Sequence, residues 1–179
     1  MRKLIRRYES VMHGNYHRMS LRYGLVIGAI MIMSLLLRYL MIYKPSSPMT
    51  IWDNIAMLVL MACCVFHYRS NLENKKITFK ESWLVGFYSG CVAAVLFGVF
   101  MYIYAANIDS EMSLRCANNL REIEEYQQYT SEDFAQMTRP SVIAFQSVIY
   151  NIIMAILWAF VIGILLKNED SQPRIKEKQ

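Results

Sequence analysis

The sequence predicts an all-α, polytopic membrane protein: a four-transmembrane-helix bundle with a short amphipathic helical segment outside the membrane. Three observations predict it. Between Glu81 and Asp109 lie 27 consecutive uncharged residues, and between Arg139 and Lys167 lie 27 more. As a helix, either run is about 40 Å long, enough to cross a ~30 Å hydrocarbon core with tilt. Third, only 18% of the 179 residues are charged, against roughly 25% in average globular domains. A soluble single domain, a disordered chain and a disulfide scaffold are excluded.

The first 20 residues form a basic arm. Leu4, Tyr8, Val11, Met12, Tyr16 and Met19 recur at helical spacing, with basic residues between them, the pattern of a segment lying on the inner leaflet. Gly14 and Asn15 weaken that helix and mark where it would break. Glu9, His13 and His17 share a face, but zinc would need a further ligand there, so we expect no metal and read the arm as interfacial.

The first span covers about residues 23–43 and is interrupted only by Arg38, whose long side chain can reach the headgroups. Pro45 and Pro48 then mark a tight hairpin. The second span, 50–68, carries Asp53 near its start, where Thr50-x-x-Asp53 can cap the helix. Arg38 and Asp53 should sit at similar shallow depth, and a mutual ion pair is the expectation. The alternative makes Arg38 a lipid-phosphate ligand with Arg139 as a second cation. His67 reads as an interface anchor at the far end of this span.

Thr78-Phe79-Lys80-Glu81 is a capping-box pattern opening the third span, 82–107. The following segment, 108–140, carries seven acidic residues and three basic ones. Ile108, Met112, Cys116, Leu120 and Ile123 predict an amphipathic helix within it. Thr130-x-x-Asp133 predicts a second short helix before Pro140 opens the fourth span, 141–166. A charged tail, 168–179, follows.

Lysine and arginine set the expected orientation. Fourteen fall in the arm, the second connection and the tail, and four on the opposite side. Both termini are therefore expected in the cytoplasm. The net charge of +5 reads as topology and contact with anionic lipid, with no nucleic-acid partner. No Ala-x-Ala site follows the first apolar run, so that run is expected to remain as an anchor. Cys63, Cys64 and Cys91 fall inside spans and only Cys116 lies outside. No disulfide framework is expected, and Cys116 alone could pair between molecules.

Small residues recur every four positions in three spans. The sets are Ser82, Gly86, Gly90, Ala94 and Gly98; Ser20, Gly24 and Gly28; and Asn151, Ala155, Ala159 and Gly163. Lipid does not drive helices together hydrophobically, so such seams allow the close backbone contact that supplies dispersion. Packing within the chain is the preferred reading and dimerisation the other. The first and fourth seams lie toward the basic half, so close packing is expected there, with a looser outer half that would leave a crevice. The shared Ser-x-x-x-Gly-x-x-x-Gly string of the first and third spans is compatible with a duplicated hairpin. Gln146, Ser147 and Asn151 supply interhelical hydrogen bonds, worth about 0.6 kcal/mol each.

No zinc-protease, nucleophile-elbow or phosphate-loop motif is present, and no cofactor is expected. No span carries a carboxylate near its centre, which opposes proton-coupled transport.

Phe79-Lys80-Glu81-Ser82-Trp83 enters a helix containing Gly86 and Gly90, with Tyr102-x-Tyr104 and Ile108-Asp109 at its outer end. With Pro140 and Phe145 opening the last helix, this resembles the bacterial four-helix integral membrane family catalogued as domain of unknown function 4199. The resemblance covers nearly the whole chain and is most specific between Phe79 and Asp109. It implies the same inner-membrane architecture and transfers no catalytic residues. Genes of that family often neighbour a polyprenyl-phosphate glycosyltransferase, which implies an accessory role in envelope glycan or lipid-linked sugar metabolism. The basic arm departs from the family pattern.

The sequence thus points to a non-enzymatic integral membrane protein. Its expected partners are the lipid bilayer, a membrane protein such as a glycosyltransferase, or a second copy of itself. The third-helix seam and the acidic segment are the expected contact surfaces. The alternative is a small oligomeric transporter or lipid-translocating subunit, which predicts a polar crevice holding Arg38, Asp53 and Asn151.

Overall fold

The computed structural model describes residues 2–41, 51–72, 77–126 and 128–167, with side chains described from His17 onward. The described residues form helices and turns, without a strand. In chain order these are α1 (Arg2–Leu40), α2 (Ile51–Ser70), α3 (Phe79–Ile103), a π-helical turn (Tyr104–Ile108), α4 (Met112–Arg121), a 3-10 turn (Glu124–Tyr126), α5 (Ser131–Met137) and α6 (Pro140–Leu166). Four stretches are long and apolar enough to cross a membrane: His17–Leu40, Ile51–Ser70, Phe79–Ile108 and Pro140–Leu166. The chain is a multi-pass membrane protein.

Local chemistry sets several of these boundaries. At the start of α3, the Thr78 hydroxyl accepts from the Glu81 N–H while Glu81 accepts from the Thr78 N–H, satisfying two otherwise free donors. Thr130 and Asp133 repeat the arrangement at α5. Pro140 occupies the first turn of α6, where its missing N–H costs nothing.

The close contact of α1 with α3 begins before the expected start of the first span. Ser20 is already buried, and its hydroxyl donates to the Val85 carbonyl at 3.2 Å. A small residue one turn before Gly24 lets α1 approach α3 that early. The α1 helix also passes through Gly14 and Asn15 without the expected break, the local penalty of about 1 kcal/mol for glycine being overridden. The Pro45–Pro48 hairpin, the Thr50 cap and the tail lie outside the described residues, and the side chains of Glu9 and His13 are likewise not described.

The central element is α3. It runs parallel to α1 and antiparallel to α6, with these two on different faces, while α2 bridges α1, α3 and α6. The two ends of the bundle differ. At one, α1 ends, α2 begins, and α4 and α5 form a cap. At the other, the basic end, α1 enters, α2 ends, α3 begins and α6 ends.

Candidate functional site

The α3 seam is consumed inside the chain. A Cβ added at Gly90 would lie 2.5 Å from the Ala155 Cβ, and one at Gly163 would lie 2.9 Å from the Phe79 ring. At Gly98 it would overlap Val148, with the Ala144 carbonyl also near. Gly86 is less crowded, its added Cβ meeting Ala159 at 3.5 Å. Ser82 and Ala94 complete this buried face. On the other flank, Gly24 and Gly28 of α1 press on Val92 and Leu96, the added Cβ atoms falling 2.5 and 2.8 Å away. The seams of α1 and α6 therefore both serve α3.

Two sequence expectations change here. The α3–α6 contact remains close into the cap half, because Gly98 meets Val148 and Ala144; the small residues of α6 continue past Asn151 to Ser147 and Ala144. The third-helix seam is also not available as a surface for a partner, since α6 covers Gly86, Gly90 and Gly98.

Near the cap end, α1 and α2 meet through a polar knot. The Arg38 Nη2 donates to Asp53 Oδ2 at 2.9 Å, and the Ser34 hydroxyl donates to Asp53 Oδ1 at 2.6 Å. Asp53 is only 2% exposed and Arg38 17%. A carboxylate removed from water needs such partners on both oxygens. The neighbouring Asn54 donates its amide to the Tyr150 hydroxyl of α6 at 3.2 Å, extending the polar line across the bundle. Arg139 does not join it: it is exposed at the N-terminus of α6, where its carbonyl accepts from Val142 and Ile143. Asn151 is elsewhere again, fully buried on the seam face of α6 and donating to the Ser147 carbonyl at 2.7 Å. The structure unites Arg38 with Asp53 and leaves Arg139 and Asn151 apart from them.

A second polar node ties the cap to α3. The π turn brings the Asp109 N–H onto the Tyr104 carbonyl at 2.9 Å, and the Tyr104 hydroxyl donates back to Asp109 Oδ2 at 3.0 Å. Arg115 of α4 pairs with the same Asp109 oxygen. Asp109 is 4% exposed, although it begins what reads in sequence as a solvated connection. No regular helix face brings residues five apart together, so the spacing of Tyr104 and Asp109 gave no signal; a π turn does so. Tyr104 also packs edge-on against Tyr39 of α1, so this node adjoins the end of the helix that carries Arg38.

The cap itself is anchored by Phe134, buried and covered by the Arg121 guanidinium 5.1 Å from its ring centre. Met112 is buried, and Cys116 and Leu120 half-buried, as their spacing predicts, whereas Ile108 and Ile123 are exposed. Burial pushes the Cys116 thiol above its ordinary pKa; Asp109 adds to the rise and Arg115 opposes it. None of the four cysteines is in a disulfide.

At the basic end, the Tyr23 hydroxyl and His67 Nδ1 are hydrogen-bonded at 2.7 Å, so His67 joins α2 to α1. His17 packs edge-on against Tyr88 of α3. No group of three His, Cys, Asp or Glu side chains is placed to hold a metal among the described residues.

Residues 22–168 match the model of the family described as Protein of unknown function (DUF4199). The chain belongs to this family. The match takes in all of α2, α3 and α6, both polar nodes and the cap, and leaves out the basic arm. Both the Arg38–Asp53 knot and the Tyr104–Asp109–Arg115 node are therefore features of the DUF4199 region of this chain. No curated protein and no solved structure matches the chain.

Proposed function

We propose that this DUF4199 protein is a non-catalytic membrane subunit, an accessory or scaffold protein that docks a partner membrane protein through its cap. One observation carries the reading: the cap is tied to the bundle yet leaves apolar side chains exposed. Asp109–Arg115 and the buried Met112 tie α4 to the bundle, and Phe134 packs α5 beneath Arg121 of α4. Around them Leu114 is 61% exposed and Ile123 46%, among the exposed acidic residues Glu111, Glu122, Glu124, Glu125 and Glu132. Ordered apolar side chains held beyond the spans fit a docking surface, and the acidic surround favours a basic partner.

The family resemblance makes an envelope-glycan or lipid-linked-sugar glycosyltransferase the first partner class to examine. In this reading the membrane is the bacterial inner membrane, both termini are cytoplasmic, and the cap faces outward. Extraction in mild detergent tests it. Leu114→Glu with Ile123→Glu should release a stoichiometric partner that the parent retains, with helix content unchanged. A parent recovered as a bare monomer, or identical retention by the variant, defeats the proposal.

The transporter reading has the buried Arg38–Asp53 pair in its favour, because charges within spans often mark a pathway. Arg38→Ala would then abolish transport, and an unaffected rate would remove the idea.

A further inference from the structure

We propose that the basic end of the bundle is a binding surface for anionic phospholipid, formed by cations that the tertiary fold gathers from all four spanning helices. Arg18 and Arg22 of α1, Arg69 of α2, Lys80 of α3 and Lys167 beyond α6 share this end. Contacts place them around this end at two levels: Gly24 meets Ser89 and Val92, so Arg18 and Arg22 lie about two to three turns of α3 inward of Lys80. Arg18 adjoins His17, which touches Tyr88; Arg22 adjoins Tyr23, bonded to His67, which lies two residues from Arg69. Lys80 adjoins Phe79, which meets Gly163 at the end of α6, and the Lys167 N–H bonds the Gly163 carbonyl.

Four of the five are exposed and Arg69 is half-buried. Among the described residues at this end the acidic side chain is Glu81, and its carboxylate is engaged by the Thr78 N–H and hydroxyl. At the cap end Arg38 and Arg115 pair with Asp53 and Asp109, and the exposed residues there include Glu111, Glu122, Glu124, Glu125 and Glu132.

A second observation fixes the depth. Trp83, Tyr88 and Tyr23 lie among these cations, in the first turns of α3 and toward the basic end of α1. Aromatic rings of this kind favour the headgroup boundary, so the cations reach the phosphates of that leaflet. Each lysine or arginine near such a surface raises its association with anionic lipid roughly fivefold. The surface lies opposite the cap, so it stands even if the cap docks no protein.

Tryptophan quenching tests this on the full chain. Trp52→Phe removes the cap-end reporter and leaves Trp83 and Trp158 toward the basic end. The protein is reconstituted in phosphatidylcholine vesicles containing either brominated phosphatidylglycerol or brominated phosphatidylcholine at equal mole fraction. The anionic quencher should be the stronger, with a relative association constant several-fold above one that falls in high salt. Replacing Arg18, Arg22, Lys80 and Lys167 by Gln should bring that ratio close to one, and the same four positions with Arg and Lys exchanged should keep it. Arg121→Gln with Arg139→Gln at the cap should leave it unchanged. Equal quenching in the parent overturns the proposal, as does a ratio that survives the four Gln substitutions in a protein of unchanged helix content.

Discussion

The interface between α3 and α6 and the attachment of α2 solve the same problem with different means. The first is built from absent side chains: Gly90 faces Ala155, Gly98 faces Val148 and Gly163 faces Phe79, so the backbones approach and dispersion accumulates along the full contact. The second combines adaptable apolar packing through Met57, Met61 and Val65 with polar ties near both ends, Asp53 and Asn54 at one and His67 at the other. Shape decides the first interface, so at its crowded positions, Gly90 and Gly98, it tolerates almost no added atom. Hydrogen bonding decides the second, so it is sensitive to the loss of a partner.

The largest expected effect is at the seam. Gly90→Leu should destabilise the protein by about 3 kcal/mol, since the added atoms have nowhere to go. Gly86→Ala should stay within about 0.5 kcal/mol of the parent, because its methyl would make ordinary contact with Ala159. Unfolding in mixed micelles measures both; equal losses would show that the seam is not controlled by local space.

Next comes Asp53→Ala, which strands the partly buried Arg38 and should cost about 2 kcal/mol. Pairing Asp53→Leu with Arg38→Met should cost less than Asp53→Ala alone, because no charge is left unmatched. A double variant worse than that single one would mean the pair itself stabilises the α1–α2 contact. Tyr23→Phe removes the tie at the other end of α2 and should cost about 0.6 kcal/mol. It should also raise amide exchange in the last turns of α2 while leaving those of α6 unchanged.

The smallest effect distinguishes the cap from both interfaces. Hydrogen bonds from the Thr130 side chain and backbone hold the Asp133 carboxyl below its ordinary range. A depressed folded value contributes stability above the unfolded pKa and loses it as pH falls through the folded one. On acidification α5 should therefore retain its first turn down to a pH below the usual carboxylate range, and Thr130→Ala should shift its loss upward. Amide signals of 131–137 followed through an acid titration report this, and an unshifted midpoint in the variant would contradict it.

Much of the site was legible in the sequence where chemistry is local. Thr78 with Glu81 and Thr130 with Asp133 signal their caps because a capping box spans only four residues. Arg38 and Asp53 could be paired from depth alone, since a hairpin places them at one level. Tyr104 and Asp109 could not, because their contact requires a π turn that helical periodicity does not anticipate. Asn54 with Tyr150 was equally hidden, as two polar residues on distant helices carry no mark of a shared partner.

By itself, the sequence determined that four apolar stretches must be helices, because backbone groups in lipid have to be satisfied within the segment. It also determined where capped helices start and which faces are small enough for close contact. Only the tertiary structure decided which face meets which. It set α3 between α1 and α6, used up its seam there, and left α2 to be held by polar ties. The reason is physical: small residues permit close approach without naming a partner, and the choice depends on how the surfaces of all four helices fit at once.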